Sequence, residues 1–525
     1  MTTTPQKQYD VVISGAGPCG VTLANMLGNY GVPTLLIDLE PDVLNLPRAV
    51  GMCDEGSRIL DSVGIFEYSP IDLLDIEKIY FADKHATPIF HFDTSKKINN
   101  FCMQRTFYQP KLEHSLRNAL ERFDCVDFWP STELINFKDD GAGVTISLQR
   151  EGVEKTIPSR FLVGSDGSKS PIRKQLDIGF RGKTYHQDWL IIDIANNPIP
   201  SNDVYFSIDP SRPGITLPLP LGRRRWEFVV KEGDTAEALY SDAMLERLLS
   251  PWGDYKLMEV ERKAIYTFHA RVANQYSKGN VFLAGDAAHI TPPFAGQGMM
   301  AGFRDAHNLS WKLAGVLNNT LSPSILESYD TERIPHSKQV INFAKFVGSI
   351  VLPQSKVKAW IRDSLINFSA MIGLYTVEEG ARMERIPNHV NGSTLRNLLI
   401  SKIRGTGQWF PQHMLSLGGE TKPSDDWLKP GFHIVSWKND ANSIISETTR
   451  KRWASLGGEF STITNSPDSH ALVDQTGEYE TYFGAKTIVV LRPDKIVAVR
   501  CREKDLDSQL NKYLDKICAP SAAAA

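Results

Sequence analysis

No stretch of about 18 or more consecutive apolar residues occurs in this chain, so a helical membrane span is not expected. Charge of one sign is not in excess: 58 Lys and Arg stand against 61 Asp and Glu, a formal net charge of −3. That balance leaves no electrostatic footprint for nucleic acid or an anionic membrane surface. Cysteine is sparse and scattered (Cys19, Cys53, Cys102, Cys125, Cys501, Cys518), with no CxxC. This spacing argues against a disulfide frame and a zinc site and fits a reducing compartment; no bound metal is expected. The opening residues, Met1 to Lys7, are polar and lack the apolar region of a secretory leader, so a cytoplasmic location is the expectation. Internal repeats are also missing. What remains is a globular composition, 42% hydrophobic and 23% charged, in 525 residues, enough for one large core or two to three domains.

The most informative stretch is Val281-Phe-Leu-Ala-Gly-Asp286-Ala-Ala-His289, which leads into Pro292-Pro293-Phe-Ala-Gly296-Gln297-Gly298. It reads as an apolar strand stopping at Gly285-Asp286, a turn-rich loop and a helix to about Leu317. A carboxylate at the tip of a buried strand is badly placed unless a partner, such as a ligand hydroxyl, donates to it. Near the start, the β-branched strand Tyr9 to Ser14 runs into Gly15-Ala-Gly17-Pro18-Cys-Gly20, a helix to about Tyr30, and a second strand ending at Asp38. In this unit Gly15 allows a tight turn, Gly17 admits a pyrophosphate to the backbone, and Gly20 permits close helix–strand packing. The free N–H groups and positive dipole end of the helix then face the phosphates. Asp38, 23 residues after Gly15, is placed for a ribose hydroxyl, a bond of roughly 1.5–3 kcal/mol. The bland alternative is a strand–turn–helix whose glycines serve packing alone. A third motif, Phe161-Leu-Val-Gly164-Ser-Asp166-Gly167 with Ser170 and Arg173 downstream, again ends a strand in Gly-x-Asp-Gly. No second dinucleotide fingerprint of comparable quality is present, which argues against a two-fingerprint reductase.

With these three motifs in order, the chain resembles the group A (single-component) FAD-dependent aromatic monooxygenases from Tyr9 to about Arg500. Within them it is most similar to the 3-(3-hydroxyphenyl)propionate hydroxylase and phenol hydroxylase branch, and Arg492-Pro493-Asp494 is typical of that branch's C-terminal domain. The resemblance implies an α/β fold: a Rossmann-like FAD-binding domain (1–72, 110–178 and 268–350) interrupted by a β-rich substrate domain (73–109 and 179–267). A helical linker (351–408), a thioredoxin-like domain lacking CxxC (409–518) and a tail (519–525) follow. It implies that Gly15, Gly17, Pro18 and Gly20 hold the FAD pyrophosphate and Asp38 the adenosine ribose. Arg48 lies near the ribityl or phosphate region, Gln109 hydrogen-bonds the cofactor, and Asp166 and Gly167 take part in FAD and NADPH binding. Asp286 takes a ribityl hydroxyl, and Pro293, Gly296, Gly298 and Met299 present backbone amides to the flavin pyrimidine. One departure is Met300 where the family often has Asn, which removes one side-chain contact.

The activity so implied is hydroxylation of a small phenolic or aromatic substrate with O2 and NADPH or NADH, through a flavin hydroperoxide, by a family whose members often form dimers. Alternatives are a tailoring oxygenase or epoxidase on a polycyclic substrate, and a non-catalytic flavin-binding protein. A halogenase is disfavoured because no Trp-x-Trp-x-Ile-Pro segment is found. Phenol deprotonation calls for a general base, which the sequence does not identify. His289 and Pro293 lie in the cofactor loop, although a loop histidine at a strand end is more often structural. Arg225, of Arg223-Arg224-Arg225, is a candidate for NADPH phosphates, against a plain strand or turn role. Tyr205, Trp226 and Phe228 line a substrate pocket or belong to the core. Met299, Phe303, Ala306, Leu309 and Leu313 mark the core-facing stripe of the helix after Gln297. Pro323 and Pro335 bracket a short helix, Lys356 to Thr376 reads as another, and the Gly- and Pro-containing stretch 404–430 reads as a connector.

Overall fold

The computed structural model describes residues 7–69, 71–83, 85–351, 406–466, 471–484 and 487–519. The expected helix Lys356 to Thr376, the 351–408 linker apart from its ends, and the tail from Pro520 lie outside the described residues. No helix among the described residues is long and apolar enough to cross a membrane.

A six-stranded sheet organises the first half of the chain. Its order is Val126–Trp129, Thr34–Ile37, Val11–Ser14, Phe161–Gly164, Val281–Leu283, Ser277–Lys278, and all but the last strand are parallel. The central strands are buried throughout, as near-continuous apolar runs demand in a parallel sheet covered on both faces. Register aligns Ser14 with Ile37 on one side and with Gly164 on the other, and Gly164 with Leu283. Three motifs far apart in sequence therefore leave the sheet along one carboxyl edge, where open α/β sheets bind their ligands.

A second sheet of eight strands runs His289–Ile290, Val260–Ala273, Phe180–Ile194, Arg223–Val229, Gly214–Leu219, Val204–Ser207, Lys78–Ala82, Pro88–Asp93. It unites strands from two separate stretches of chain, since Val204–Ser207 pairs in parallel with Lys78–Ala82. Leu73–Asp75 joins a different, three-stranded sheet with Gln104–Phe107 and Gly51–Cys53. One face of the eight-stranded sheet is sealed by Trp226, Phe228, Leu190 and Ile192 packing on Leu239, Leu245 and Leu249. The other face meets two loops that follow strands of the six-stranded sheet, with Arg225 and Arg262 on the Pro47 carbonyl and Trp189 on Phe294.

The C-terminal part holds a seven-stranded mixed sheet, from Glu420–Pro423 at one edge to Val497–Cys501 at the other, with helices Glu447–Ser455, Glu478–Phe483 and Leu506–Ile517. Buried charges tie it to the first half. Arg58 is bidentate to Asp425, and Arg492 joins Glu332, which also takes Lys312 and Asn308. Trp311, at the same seam, donates to Asp494.

Three local expectations change. The 404–430 stretch is not a plain connector: Met414–Leu417 and Glu420–Pro423 form an edge hairpin, and Gly418 and Gly419, at φ +61° and +87°, are its turn. Pro335 does not bound a helix but lies inside Glu327–Val351. Pro335 and Thr331, whose carbonyl loses its N–H partner, both lie on the exposed side of the helix, while Glu332, Arg333 and His336 anchor the buried side. The helix Gly298–Leu317 buries far more than one stripe, taking in Arg304, Asp305, Asn308 and Lys312, each of which has an ionic or hydrogen-bonded partner.

Candidate active site

The glycine loop separates three roles by geometry. Gly15 has φ +104°, and a Cβ there would lie 2.3 Å from the Ser165 carbonyl oxygen. A Cβ on Gly20 would lie 1.9 Å from the Gly15 carbonyl oxygen, so helix and turn touch backbone to backbone. Gly17 is different: nothing lies within 4 Å of its would-be Cβ. The helix Pro18–Asn29 begins there with Pro at its start and no side-chain cap, leaving its amides facing that open space. Asp38 closes the loop from the next strand, accepting from the Ala16 amide at 2.5 Å and the Glu40 amide at 2.8 Å.

The Asp166 turn lies beside the glycine loop. Its Oδ2 accepts from the Ile172 amide at 3.2 Å, and its Oδ1 is buried with no hydrogen-bond partner. Burial pushes this carboxyl up. Gly167 has φ +78°, which a non-glycine residue adopts with strain. Arg173 links this turn to the third motif by donating to the Ser168 and Ala287 carbonyls at 2.9 and 2.7 Å. Asp286 is exposed at the end of the third strand. The protein packed around it pushes its carboxyl up, while His289 and Arg48 pull it down.

After Asp286 the chain forms a turn at Pro293–Ala295. Gly296 is left-handed at φ +61°, and the 20-residue helix Gly298–Leu317 then starts with no side-chain cap. Would-be Cβ atoms on Gly296 and Gly298 meet nothing closer than 3.9 Å. Gln297 is locked by Arg304, which also binds Glu55. Met300 turns away into the core: its sulfur would sit 2.1 Å from a Cβ on Gly56. The residue that departs from the family pattern thus fills a gap that a glycine on the facing helix opens.

Gln109 acts on its neighbours. Its Oε1 accepts from the Arg48 and Ala49 amides at 2.8 and 2.7 Å, and its Nε2 donates to Glu113 at 2.7 Å. Both acceptor positions of the oxygen are used, so Gln109 fixes the backbone that carries the exposed Arg48.

Two candidates are buried away from any ligand phosphate. Arg225 is 1% exposed and bidentate to Asp193 at 2.6 and 2.9 Å, and it donates to the Pro47 carbonyl at 2.8 Å. It therefore cannot meet a nicotinamide phosphate at the surface. Arg224 is also buried, and Arg223 pairs with Glu261, so the triplet forms no basic patch. His289 is 1% exposed, with Nε2 on Asp305 at 2.6 Å. Asp305 also takes the Gly285 amide and Arg333; burial alone pushes its carboxyl up, but His289 and Arg333 hold it below the usual range. This network braces the Gly285 turn from behind. Trp226 and Phe228 belong to the sealed core face, and Tyr205 stacks on Tyr80.

The strand residues between them face the cleft instead. Arg225 and Arg262 both reach the Pro47 carbonyl, and Trp189 packs on Phe294 with ring centroids 5.7 Å apart. Glu227, Ile191 and Val229 share this face. Sequence reading missed Asp193, Glu227, Arg262 and Asp305 because their partners come from other strands and helices.

These features fit FAD: an open Cβ position and uncapped helix for a pyrophosphate, acids at two strand ends for sugar or ribityl hydroxyls, and a second uncapped helix start between left-handed glycine geometry and an aromatic sheet face. Comparison with known proteins agrees. Residues 8–344 match the family described as FAD binding domain, and residues 407–516 match the HcaD C-terminal domain. The chain is 31% identical over 517 residues to a 3-(3-hydroxyphenyl)propionate/3-hydroxycinnamic acid hydroxylase of Burkholderia vietnamiensis, covering 94% of each protein. It is 32% identical over 534 residues to the enzyme of that name from Klebsiella pneumoniae, covering 98% of this chain and 95% of the relative. Its fold is similar to that of aklavinone-11 hydroxylase solved with FAD and aklavinone, with TM-score 0.80, 22% identity and coverage of 98% and 100%. The flavin-dependent monooxygenase PieE gives TM-score 0.79 at 20% identity, covering 98% of this chain and 100% of PieE. The chain belongs to the FAD-binding-domain family of single-component FAD-dependent aromatic monooxygenases.

Proposed function

We propose that this protein hydroxylates a small phenolic ring carrying a short acid side chain, using O2 and either NADPH or NADH. The observation that carries this reading is near-full-length similarity to hydroxylases named for 3-hydroxyphenylpropionate and 3-hydroxycinnamate, at 31–32% identity. Support comes from the face over the cleft, where Ile191, Val229, Tyr266 and Phe294 offer apolar walls to a ring.

In this reading Gly15, Gly17, Pro18 and Gly20 cradle the FAD pyrophosphate and Asp38 holds the adenosine ribose. Asp166 and Gly167 contribute at the cofactor, Asp286 takes a ribityl hydroxyl, and backbone amides from Pro293 to Met299, including those of Gly296 and Gly298, meet the pyrimidine edge. Arg48 lies by the phosphate–ribityl stretch, positioned by Gln109. The domain division is FAD-binding over 1–72, 110–178 and 268–350, with substrate binding over 73–109 and 179–267. Bound FAD supplies electron transfer from the nicotinamide and activation of oxygen. The chain orients the ring and excludes water through the sheet face and the Phe294 turn.

The test is a panel of hydroxylated aromatic acids and phenols with the FAD-loaded protein, following NADPH or NADH loss and product mass. Phenolic acids are expected to accelerate nicotinamide oxidation and to gain one oxygen. Acceleration only by polycyclic substrates, or none at all, overturns the reading.

A further inference from the structure

The general base that phenol hydroxylation needs can be sought on the cleft-facing side of the eight-stranded sheet. Along Arg223–Val229, side chains alternate: Trp226 and Phe228 enter the sealed core, so Arg225, Glu227 and Val229 face the cleft. One row across the sheet reads Ala264, Ile191, Glu227, Ile215, Phe206, Phe81. Glu227 is the only charged residue in that row. The next row holds Asp193, Arg225 and Arg262, whose guanidinium groups bind the Pro47 carbonyl. The row on the other side holds Trp189, Val229 and Tyr266, and Trp189 packs on Phe294. Glu227 therefore sits between the two loops that bracket the cofactor cleft.

The carboxylate is left available. Its side chain is 13% exposed, and its closest cation, Arg225 Nη1, is 3.9 Å away, beyond hydrogen-bond range. Arg225 already spends Nε and Nη2 on Asp193. Among the described residues no group donates a hydrogen bond to the Glu227 carboxylate. An acid in an apolar row with no donor of its own is costly unless a ligand supplies one. Burial holds its carboxyl above the ordinary range; Arg225 lowers it and Asp193 raises it. Arg262, one strand beyond Asp193 and paired with it, and Arg48, whose carbonyl accepts from Arg225, complete the charged surroundings.

We propose that Glu227 is the proton acceptor for the substrate's phenolic hydroxyl. The assignment rests on the functional reading above. As a ring carbon bonds the incoming oxygen atom, the phenolic O–H breaks and Glu227 takes its proton. The proton left on that ring carbon then departs to the oxide released by O–O cleavage, and Glu227 returns its own proton to the dienone oxygen. O2 and the reduced nicotinamide supply the oxidant and electrons, and the carboxyl ends each cycle as it began.

The test compares wild type with Glu227→Gln and Glu227→Asp, all loaded with FAD, on 3-(3-hydroxyphenyl)propionate between pH 5 and 9. Wild-type hydroxylation should rise with pH through one ionisation above the ordinary carboxyl range and then level. Glu227→Gln should keep its FAD and bind the substrate, yet hydroxylate about 10²–10⁴-fold more slowly and lose that rise. Glu227→Asp should retain the pH-dependent rise at a reduced rate. A ring-fluorinated analogue, already ionised at pH 8, should restore Glu227→Gln toward wild type, which a merely structural role does not predict. Active wild type with Glu227→Gln within about threefold of it and an unchanged pH profile overturns the assignment alone, that margin being far below the usual general-base contribution. Wild type with no phenol-dependent nicotinamide oxidation overturns the functional reading and the assignment with it.

Discussion

Replacing Gly17 by Ala separates cofactor binding from folding. Gly17 has φ −70° and ψ −179°, a conformation alanine adopts freely, and its would-be Cβ meets nothing within 4 Å. The apo-protein therefore gains no clash, and the less flexible unfolded chain favours the folded state by about 0.4–1 kcal/mol. The methyl group stands where the pyrophosphate must approach the helix start. Each charge-assisted amide bond it displaces is worth roughly 1.5–3 kcal/mol, or 10- to 150-fold in Kd. FAD titration followed by flavin fluorescence, beside thermal unfolding of the apo-protein, reads the two effects apart. Gly20→Ala is the contrast, because its Cβ would lie 1.9 Å from the Gly15 carbonyl oxygen and the turn itself must break. Undiminished FAD affinity in Gly17→Ala, or an apo-protein as damaged as Gly20→Ala, would refute the reasoning.

Other consequences follow from the same geometry. Asp286→Ala removes one acceptor for a ribityl hydroxyl and should weaken FAD by roughly 1.5–3 kcal/mol, read by equilibrium dialysis, with the apo melting temperature little changed. Arg58→Ala leaves the half-buried Asp425 beside the C-terminal sheet without its bidentate partner and should cost up to about 3 kcal/mol, the low end of the range for a broken buried pair, read from the urea midpoint. Burial alone raises the Asp425 carboxyl, but Arg58 wins and holds it below the usual range. The pair's stabilisation is thus present above the unfolded carboxyl value near 3.9 and lost as pH falls through the lower folded value. His433 is buried and pushed down to about 4, chiefly by burial and then by Lys495. The unfolded chain then binds the extra proton first, so stability should fall as pH drops from about 6.5 toward 4. His433→Gln should flatten that slope in pH-dependent denaturation curves.

The cofactor motifs were legible because each is contiguous: strand, glycine or acid, then helix. Parallel pairing then places those strand ends on one edge, so local reading reached a long-range site. The substrate side was not legible in that way. Alternation along Arg223–Val229 divides the strand into two faces, but it does not say which face meets the core. Trp226 and Phe228 are the more conspicuous pocket-lining residues by type, yet they pack on Leu239, Leu245 and Leu249, leaving Glu227 over the cleft. Arg225, by sequence a candidate for NADPH phosphates, is instead occupied by Asp193, 32 residues away in sequence and 2.6 Å from it in space. The glycines at 418 and 419 suggested a linker because a hairpin turn and a flexible connector share their composition. Buried charges on Gly298–Leu317 were invisible for a related reason: their partners lie on distant segments, including Glu55, Glu332 and Arg333.

The most direct test of the central claim is oxygen incorporation. The FAD-loaded protein, given 3-(3-hydroxyphenyl)propionate, NADPH or NADH and isotopically heavy O2, should release a dihydroxylated acid carrying one heavy oxygen per nicotinamide oxidised. Peroxide without labelled product, label drawn from water, or a protein that stays colourless after incubation with FAD would contradict it.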